Sequence, residues 1–203
     1  MSGRGLQFYP GEIRDLLVAW LALGVAFAFF FGGGADVLER PTVFVELLII
    51  SIITAGIGFL LHELAHKVVA VRYGQIAAFQ ANYPMLGFAI LAGLAGFIFA
   101  APGAVYHRGR ITERENGLIS VAGPVTNIVL GFVFVPLVLV DVPIVARIGV
   151  YGVLINLFLA AFNMIPFGPL DGRKVLAWSK LVFVVTFVAS VGLLIGAVLV
   201  LFT

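Results

Sequence analysis

The chain has 203 residues, 62% of them hydrophobic and 11% charged, with a mean hydropathy of +1.17. Water-soluble domains carry about 25% charged residues, so a soluble globular domain is excluded and an integral membrane protein is expected. The net charge is +2 and there is no cysteine, which removes disulfides, thiolate ligands and a cysteine nucleophile.

Taken in order, residues 1–15 are polar and mixed in charge, and 16–31 are an apolar run ending at Gly32-Gly33-Gly34. Arg4 and Arg14 precede that run, but it is long for a signal peptide and no small-x-small cleavage site follows, so it reads as a first span. After a polar turn at 35–41, residues 44 to about 73 read as one long helix stopped by Gly74. Residues 75–83 are polar enough to be extended or looped. Pro84 and Pro102 bracket a second apolar run, 86–101, rich in glycine. Residues 103–116 are the most charged stretch and read as a loop, with His107 as a solvated loop residue. Further spans are expected at 118–140, 148–165 and 181–202.

The chemistry is concentrated at 59–67, where His62, Glu63 and His66 stand at the end of an apolar helix. Residues four apart share a helix face, so the two imidazoles can point at one metal ion, and Glu63 beside them can take a proton from a metal-bound water. Such groups are costly in lipid, so a chance match is disfavoured there. A catalytic zinc site takes three protein ligands and leaves one position open. With His107 read as solvated, the third ligand is expected to be a carboxylate. The candidate is Asp171, in the proline-rich break after the span at 148–165. Taken alone, Asp171 reads as a cap for the helix that follows. Paired with the histidines, it reads as a ligand.

Three motifs stand together: His-Glu-Leu-Ala-His at 62–66, Ser-Val-Ala-Gly-Pro-Val-Thr-Asn at 120–127, and Asn163 through Gly172 with Pro166, Pro169 and Leu170. In this order they resemble the site-2 protease family of intramembrane zinc metalloproteases, over about residues 44–175. The resemblance implies one zinc ion held by His62, His66 and Asp171, with Glu63 as catalytic base. It also implies that Asn127 and Asn163 help hold the substrate or stabilise the reacting carbonyl. The chain looks like the family's minimal type, without a PDZ or C-terminal regulatory domain.

The expected fold is therefore an all-α polytopic membrane protein with about five to six transmembrane helices and a membrane-embedded re-entrant or extended segment. The whole of 1–203 reads as one protease domain, its core at about 44–175 and its peripheral spans at 16–31 and 181–202. If the ligands meet on one side of the bilayer, residues 74–117 start and end on that side. The run 86–101 is then a re-entrant hairpin bent at Gly93 or Gly96, although a 16-residue helix would be about 24 Å long and nearly cross.

That topology places Arg4, Arg14, Lys67, Arg72, Arg108, Arg110, Arg114, Arg173, Lys174 and Lys180 on the site face, against Arg40 and Arg147 opposite. The site and N-terminus are then cytoplasmic, and residues 103–117 are a mouth for water. These charges flank spans and belong to no nucleic-acid motif, so no nucleic-acid partner is expected; the partners are the lipid bilayer and a transmembrane protein substrate. The expected function is hydrolysis of a peptide bond within or near a transmembrane segment, as in regulated intramembrane proteolysis. The alternatives are a metal-binding membrane transporter and a catalytically silent scaffold. Glu63 beside the histidines counts against the first, and the intact motifs count against the second.

Overall fold

A computed structural model describes residues 6–98 and 103–202. Among them, five helices are long and apolar enough to cross a membrane. The described residues form two compact units, one of residues 8–60, 78–98 and 103–106, the other of 6–7, 61–77 and 107–202.

The first unit contains α1 (Glu12–Phe31), a 3₁₀ turn (Gly34–Glu39), α2 (Pro41–Ser51), a wide π turn (Ile52–Gly56) and the start of α3 (Ile57–Arg72). Residues 41–72 are thus one continuous helical rod, as the hydropathy suggested, with a π turn inside it. A π turn leaves a carbonyl without its usual helical donor. Trp20 of α1 answers this by donating its indole N–H to Ile52 O at 2.9 Å, and its ring lies over Gly56, where a Cβ would collide with it. Leu16, Ala19 and Leu23 of α1 pack with Phe59, Phe79 and Leu86 as the unit's core.

After α3, Gly74 turns the chain in a left-handed conformation (φ 75°) into β1 (Ile76–Ala81). Next come α4 (Tyr83–Leu94) and β2 (Gly103–Arg108), which pairs with β1 in a two-stranded sheet. Among the described residues, the departure from an all-α chain is confined to this pair. Asn82 caps α4 by accepting from Met85 N–H. With 12 residues, α4 is only about 18 Å long. It ends at Ala95, and Gly96 follows at φ 79°.

The bend therefore falls at Gly96. Gly93 serves packing instead, since a Cβ there would strike the backbone of Ala26; its absence lets α4 lie close on α1. The chain returns to the sheet it left, since Gly103 lies against the backbone of Gln80 and Ala81. The last part of the expected re-entrant segment, 99–101, and Pro102 lie outside the described residues, as does Arg4.

The second unit contains the C-terminal part of α3, α5 (Glu113–Val138), α6 (Pro143–Asn163), α7 (Asp171–Trp178) and α8 (Lys180–Phe202). The expected loop at 103–116 is corrected here. Its first half is β2, and α5 begins at Glu113, earlier than the hydropathy suggested. Thr112 and Glu115 form a reciprocal capping box that starts α5 in the polar stretch. Gly131, Gly149 and Gly152 let α5 and α6 approach, each meeting a side chain or backbone of the facing helix. Phe134, Val153 and Leu157 form a small core there. In α8, only 11% of the most apolar window is buried, as expected of a helix facing lipid.

Candidate metal centre

All the residues brought together here belong to the second unit. His62 and His66 lie one turn apart on α3 and are both buried, with ring centroids 4.6 Å apart and rings nearly perpendicular. Asp171 is the first residue of α7. Its Oδ2 lies 3.2 Å from Nε2 of His62 and 3.2 Å from Nε2 of His66. Its other oxygen is 3.9 Å from Lys174 Nζ. The carboxylate is not a helix cap: the N-cap position is Leu170, and no side chain caps it. Gly172 makes the placement possible, because a Cβ there would strike the backbone of Met164 at the end of α6.

The outer nitrogens of the histidines are held from behind. His66 Nδ1 is 2.7 Å from the carbonyl of Ile119, and His62 Nδ1 is bonded to Asn127 Oδ1. The second bond belongs to a chain whose polarity can be worked out from its far end. The carbonyl of Gly152 can only accept, so Asn156 must present Nδ2 to it, at 2.9 Å. Asn156 Oδ1 then accepts from Asn127 Nδ2 at 3.0 Å. Asn127 therefore turns Oδ1 to His62, and the His62 proton sits on Nδ1. Ile119 O fixes His66 in the same tautomer. Both Nε2 lone pairs are left facing the carboxylate of Asp171.

Two nitrogen lone pairs and an anionic oxygen at this range repel one another unless a cation lies between them. A tetrahedral zinc with bonds of about 2.0–2.1 Å sets its ligand atoms about 3.3 Å apart, which matches the two 3.2 Å separations. The residues present therefore fit zinc. Gly123 of α5 covers the same place: a Cβ on it would lie 2.5 Å from both Nε2 atoms. Pro124, next in the chain, has no N–H to donate to Ser120 O, the carbonyl after that of Ile119, which accepts from His66.

Glu63 is buried beside the pair, and ligand atoms of His62, Glu63 and His66 all lie within 4.8 Å of one another.

Asn163 Nδ2 donates to Leu159 O of its own helix at 3.0 Å. His107 is not a solvated loop residue. It sits half-buried on β2, and burial, followed by the charge of Lys174, lowers its pKa. Lys67, counted above among the surface charges, is 1% exposed. Asn156 carried no reading from the sequence, and Gly123 only its place in the motif at 120–127. An asparagine inside an apolar helix is itself a signal, by the same argument that singled out the histidines.

The fold and this cluster define a multi-pass membrane protein with a buried group able to hold a metal ion. Known proteins of similar sequence agree. The chain is 41% identical over 191 residues to "Putative zinc metalloprotease MJ0611" of Methanocaldococcus jannaschii, covering 92% of this chain and 94% of that protein. It is 32% identical over 145 residues to the similarly named YwhC of Bacillus subtilis, covering 62% and 66%. It is 31% identical over 134 residues to Rip2 of Mycolicibacterium smegmatis, covering 60% and 50%. No family model and no solved structure matches the chain. The chain belongs to the zinc metalloprotease family that these proteins represent.

Proposed function

We propose that the protein is an intramembrane zinc metalloprotease of the site-2 type, hydrolysing a peptide bond within or near a transmembrane segment of a membrane-protein substrate. The observation that carries this is the convergence of His62, His66 and Asp171 at tetrahedral spacing beside a buried glutamate, in a chain of apolar helices. His62, His66 and Asp171 hold the ion. When bound, zinc polarises a carbonyl and brings the pKa of its water to about 7. Glu63 takes the proton from the attacking water and delivers it to the leaving amine. Asn127, held by Asn156, keeps His62 in its ligating tautomer; Asn163 supports the substrate segment.

The substrate must arrive extended, because a helical peptide bond is shielded by its own turn. The sheet of β1 and β2 is suited to receive such a segment by strand addition. The site is assigned to the cytoplasmic side and the N-terminus to the same side. With five spans among the described residues and β2 returning to pair with β1, the charge asymmetry favours this arrangement even after buried Lys67 is set aside. A transporter reading is less well supported, since among the described residues the ligand-bearing group is confined to this one place.

The test uses purified protein reconstituted with a single-span membrane substrate. Wild type cleaves and a chelator stops it; Glu63→Ala retains zinc and does not cleave. Cleavage by Glu63→Ala, or metal flux without cleavage in wild type, overturns the assignment.

A further inference from the structure

The chain has a third histidine, and its imidazole is uncommitted. His62 and His66 are each held at Nδ1. Neither ring nitrogen of His107 has a hydrogen-bond partner among the described residues. Polar groups withdrawn from water are rarely left so, and this one is half-buried.

Its direction follows from the strand that carries it. Gly103 lies against Gln80 and Ala81, and β1 and β2 have six residues each. The strands therefore run antiparallel, with His107 opposite Ala77. Residues opposite one another share a face of the sheet. Ala77 is 1% exposed, whereas Tyr106 is 61% exposed and Arg108 is exposed as well. His107 thus stands on the inward face.

The chain just beyond it is pinned to the end of α3. Gln75 donates Nε2 to Arg110 O at 3.0 Å and its backbone N–H to Ala70 O at 3.0 Å. Ala70 lies one turn beyond His66. Gly109 makes this clamp possible, since a Cβ there would lie 2.4 Å from Gln75 Oε1. From this position His107 feels the charged groups of the metal centre. Burial lowers its pKa most, and the charges of Lys174 and His66 lower it further. Lys174 in turn reaches the outer oxygen of Asp171 at 3.9 Å. An imidazole with a free donor therefore stands near the group at His62, His66 and Asp171 without belonging to it.

We propose that His107 is a further catalytic residue, whose ring N–H donates to the oxygen of the scissile carbonyl as that oxygen becomes negative. The proposal rests on the protease reading above. When the water oxygen bonds to the carbonyl carbon, the C=O π pair moves onto the carbonyl oxygen. The imidazole keeps its proton and gives only a hydrogen bond, so Glu63 remains the group that moves a proton. A donor of this kind meets the tetrahedral oxyanion better than the planar carbonyl, and so acts on kcat rather than KM. A neutral imidazole suits the role, because one ring nitrogen always carries hydrogen and no further cation is added beside the two histidines. The amide nitrogens of Asn127 and Asn163 are already engaged, with Asn156 Oδ1 and Leu159 O. The ring of His107 is not.

The experiment uses the full chain in vesicles with a single-span substrate. His107→Phe keeps a ring and removes the donor, and His107→Gln keeps an N–H near the same place. His107→Phe should lower kcat about 100-fold, the loss of one oxyanion donor. KM and zinc affinity should stay within about twofold of wild type. His107→Gln should recover at least about tenfold of the lost kcat.

A second measurement does not need turnover. A peptide with a phosphonate in place of the scissile amide presents a tetrahedral anionic oxygen. Its affinity for the zinc-loaded Glu63→Gln chain is compared with that of the same peptide with the amide intact. Adding His107→Phe should weaken the phosphonate about 100-fold and the amide less than about threefold. Wild-type kcat in His107→Phe, a loss of zinc affinity that matches the loss of kcat, or equal weakening of the two peptides overturns the proposal and leaves the protease reading intact. Cleavage by Glu63→Ala overturns the protease reading, and the two peptide affinities still decide whether His107 serves an anionic oxygen.

Discussion

Asn156 touches none of the atoms assigned to the metal, yet its loss should weaken metal binding. The perturbation is Asn156→Leu, which keeps the volume and removes both hydrogen-bonding groups. Asn127 Nδ2 then loses its acceptor in a place where Asn127 and Asn156 are both 0% exposed. Losing one buried hydrogen bond costs about 0.5–1.5 kcal/mol. Asn127 can escape that cost by rotating its amide and offering Nδ2 to His62. The His62 proton must then move to Nε2, the nitrogen that faces Asp171.

Either outcome is disfavoured by a similar amount. The affinity loss should therefore resemble that seen when a metal ligand's hydrogen-bond partner is removed, about 10- to 100-fold. This corresponds to about 1.4–2.7 kcal/mol. The assay is zinc competition against a chromophoric chelator, with helicity and thermal unfolding measured on the same sample. The discriminating arm is Asn127→Asp. A carboxylate can only accept, so it cannot rotate into the wrong polarity, and Asn156→Leu should cost less zinc affinity in that background than in wild type. Wild-type affinity in a folded Asn156→Leu protein, or an equal loss in both backgrounds, refutes the reasoning.

Gly123→Ala places a methyl group 2.5 Å from both Nε2 atoms. It should lower zinc occupancy at least about 100-fold while leaving helicity unchanged, as measured by metal analysis and circular dichroism. Asp171→Asn keeps the shape and removes the anion, so zinc affinity and cleavage should fall together. Lys174→Ala touches only the outer oxygen and should do far less in the same assay. His107 has its pKa lowered from 6.5 by burial. Its contribution to stability is therefore present above the unfolded value and lost as pH falls from about 6.5 toward the lower folded value. His107→Gln should flatten that part of the unfolding curve followed between pH 7 and pH 5.

The legible parts of the site were those whose spacing is fixed by one helix turn or by a backbone break. His62 and His66 had to share a face of α3, and Asp171 had to follow a span and a proline break. The reversal after α4 followed from requiring these groups to meet, before any strand was known. Groups whose partner lies far along the chain were not legible. Nothing local to Asn156 points at Asn127, 29 residues away, because their bond exists only when Gly131, Gly149 and Gly152 bring α5 and α6 together. His107 was misread because Arg108 and Arg110 dominate its neighbourhood, while Val105 and Tyr106 carry the strand preference. Lys67 was misread because a charge at a helix end usually reaches water, and this one is folded inward.

The choice of amides behind His62 follows from the surroundings. A carboxylate at Asn127 would orient the imidazole equally well, but it would add a buried charge to a place that already holds Glu63 and Asp171. The effective penalty for one more is several kcal/mol. An amide has both a donor and an acceptor, so it can pass orientation to a second amide without any charge. The series ends on Gly152 O, whose polarity cannot change. The polar groups of three helices thus form one connected series: α6 through Asn156, α5 through Asn127, and α3 through His62. Asp171 of α7 meets its far end. Buried polar groups are tolerable in an apolar bundle when each satisfies the next. A series of this kind also makes the helices interdependent, because a shift of any one breaks a bond that apolar neighbours cannot replace. Substituting either asparagine should therefore loosen α5 against α6 as well as the metal. Amide exchange at Gly131 and Gly152 should rise together with zinc loss; zinc loss without it would confine the role of the series to His62.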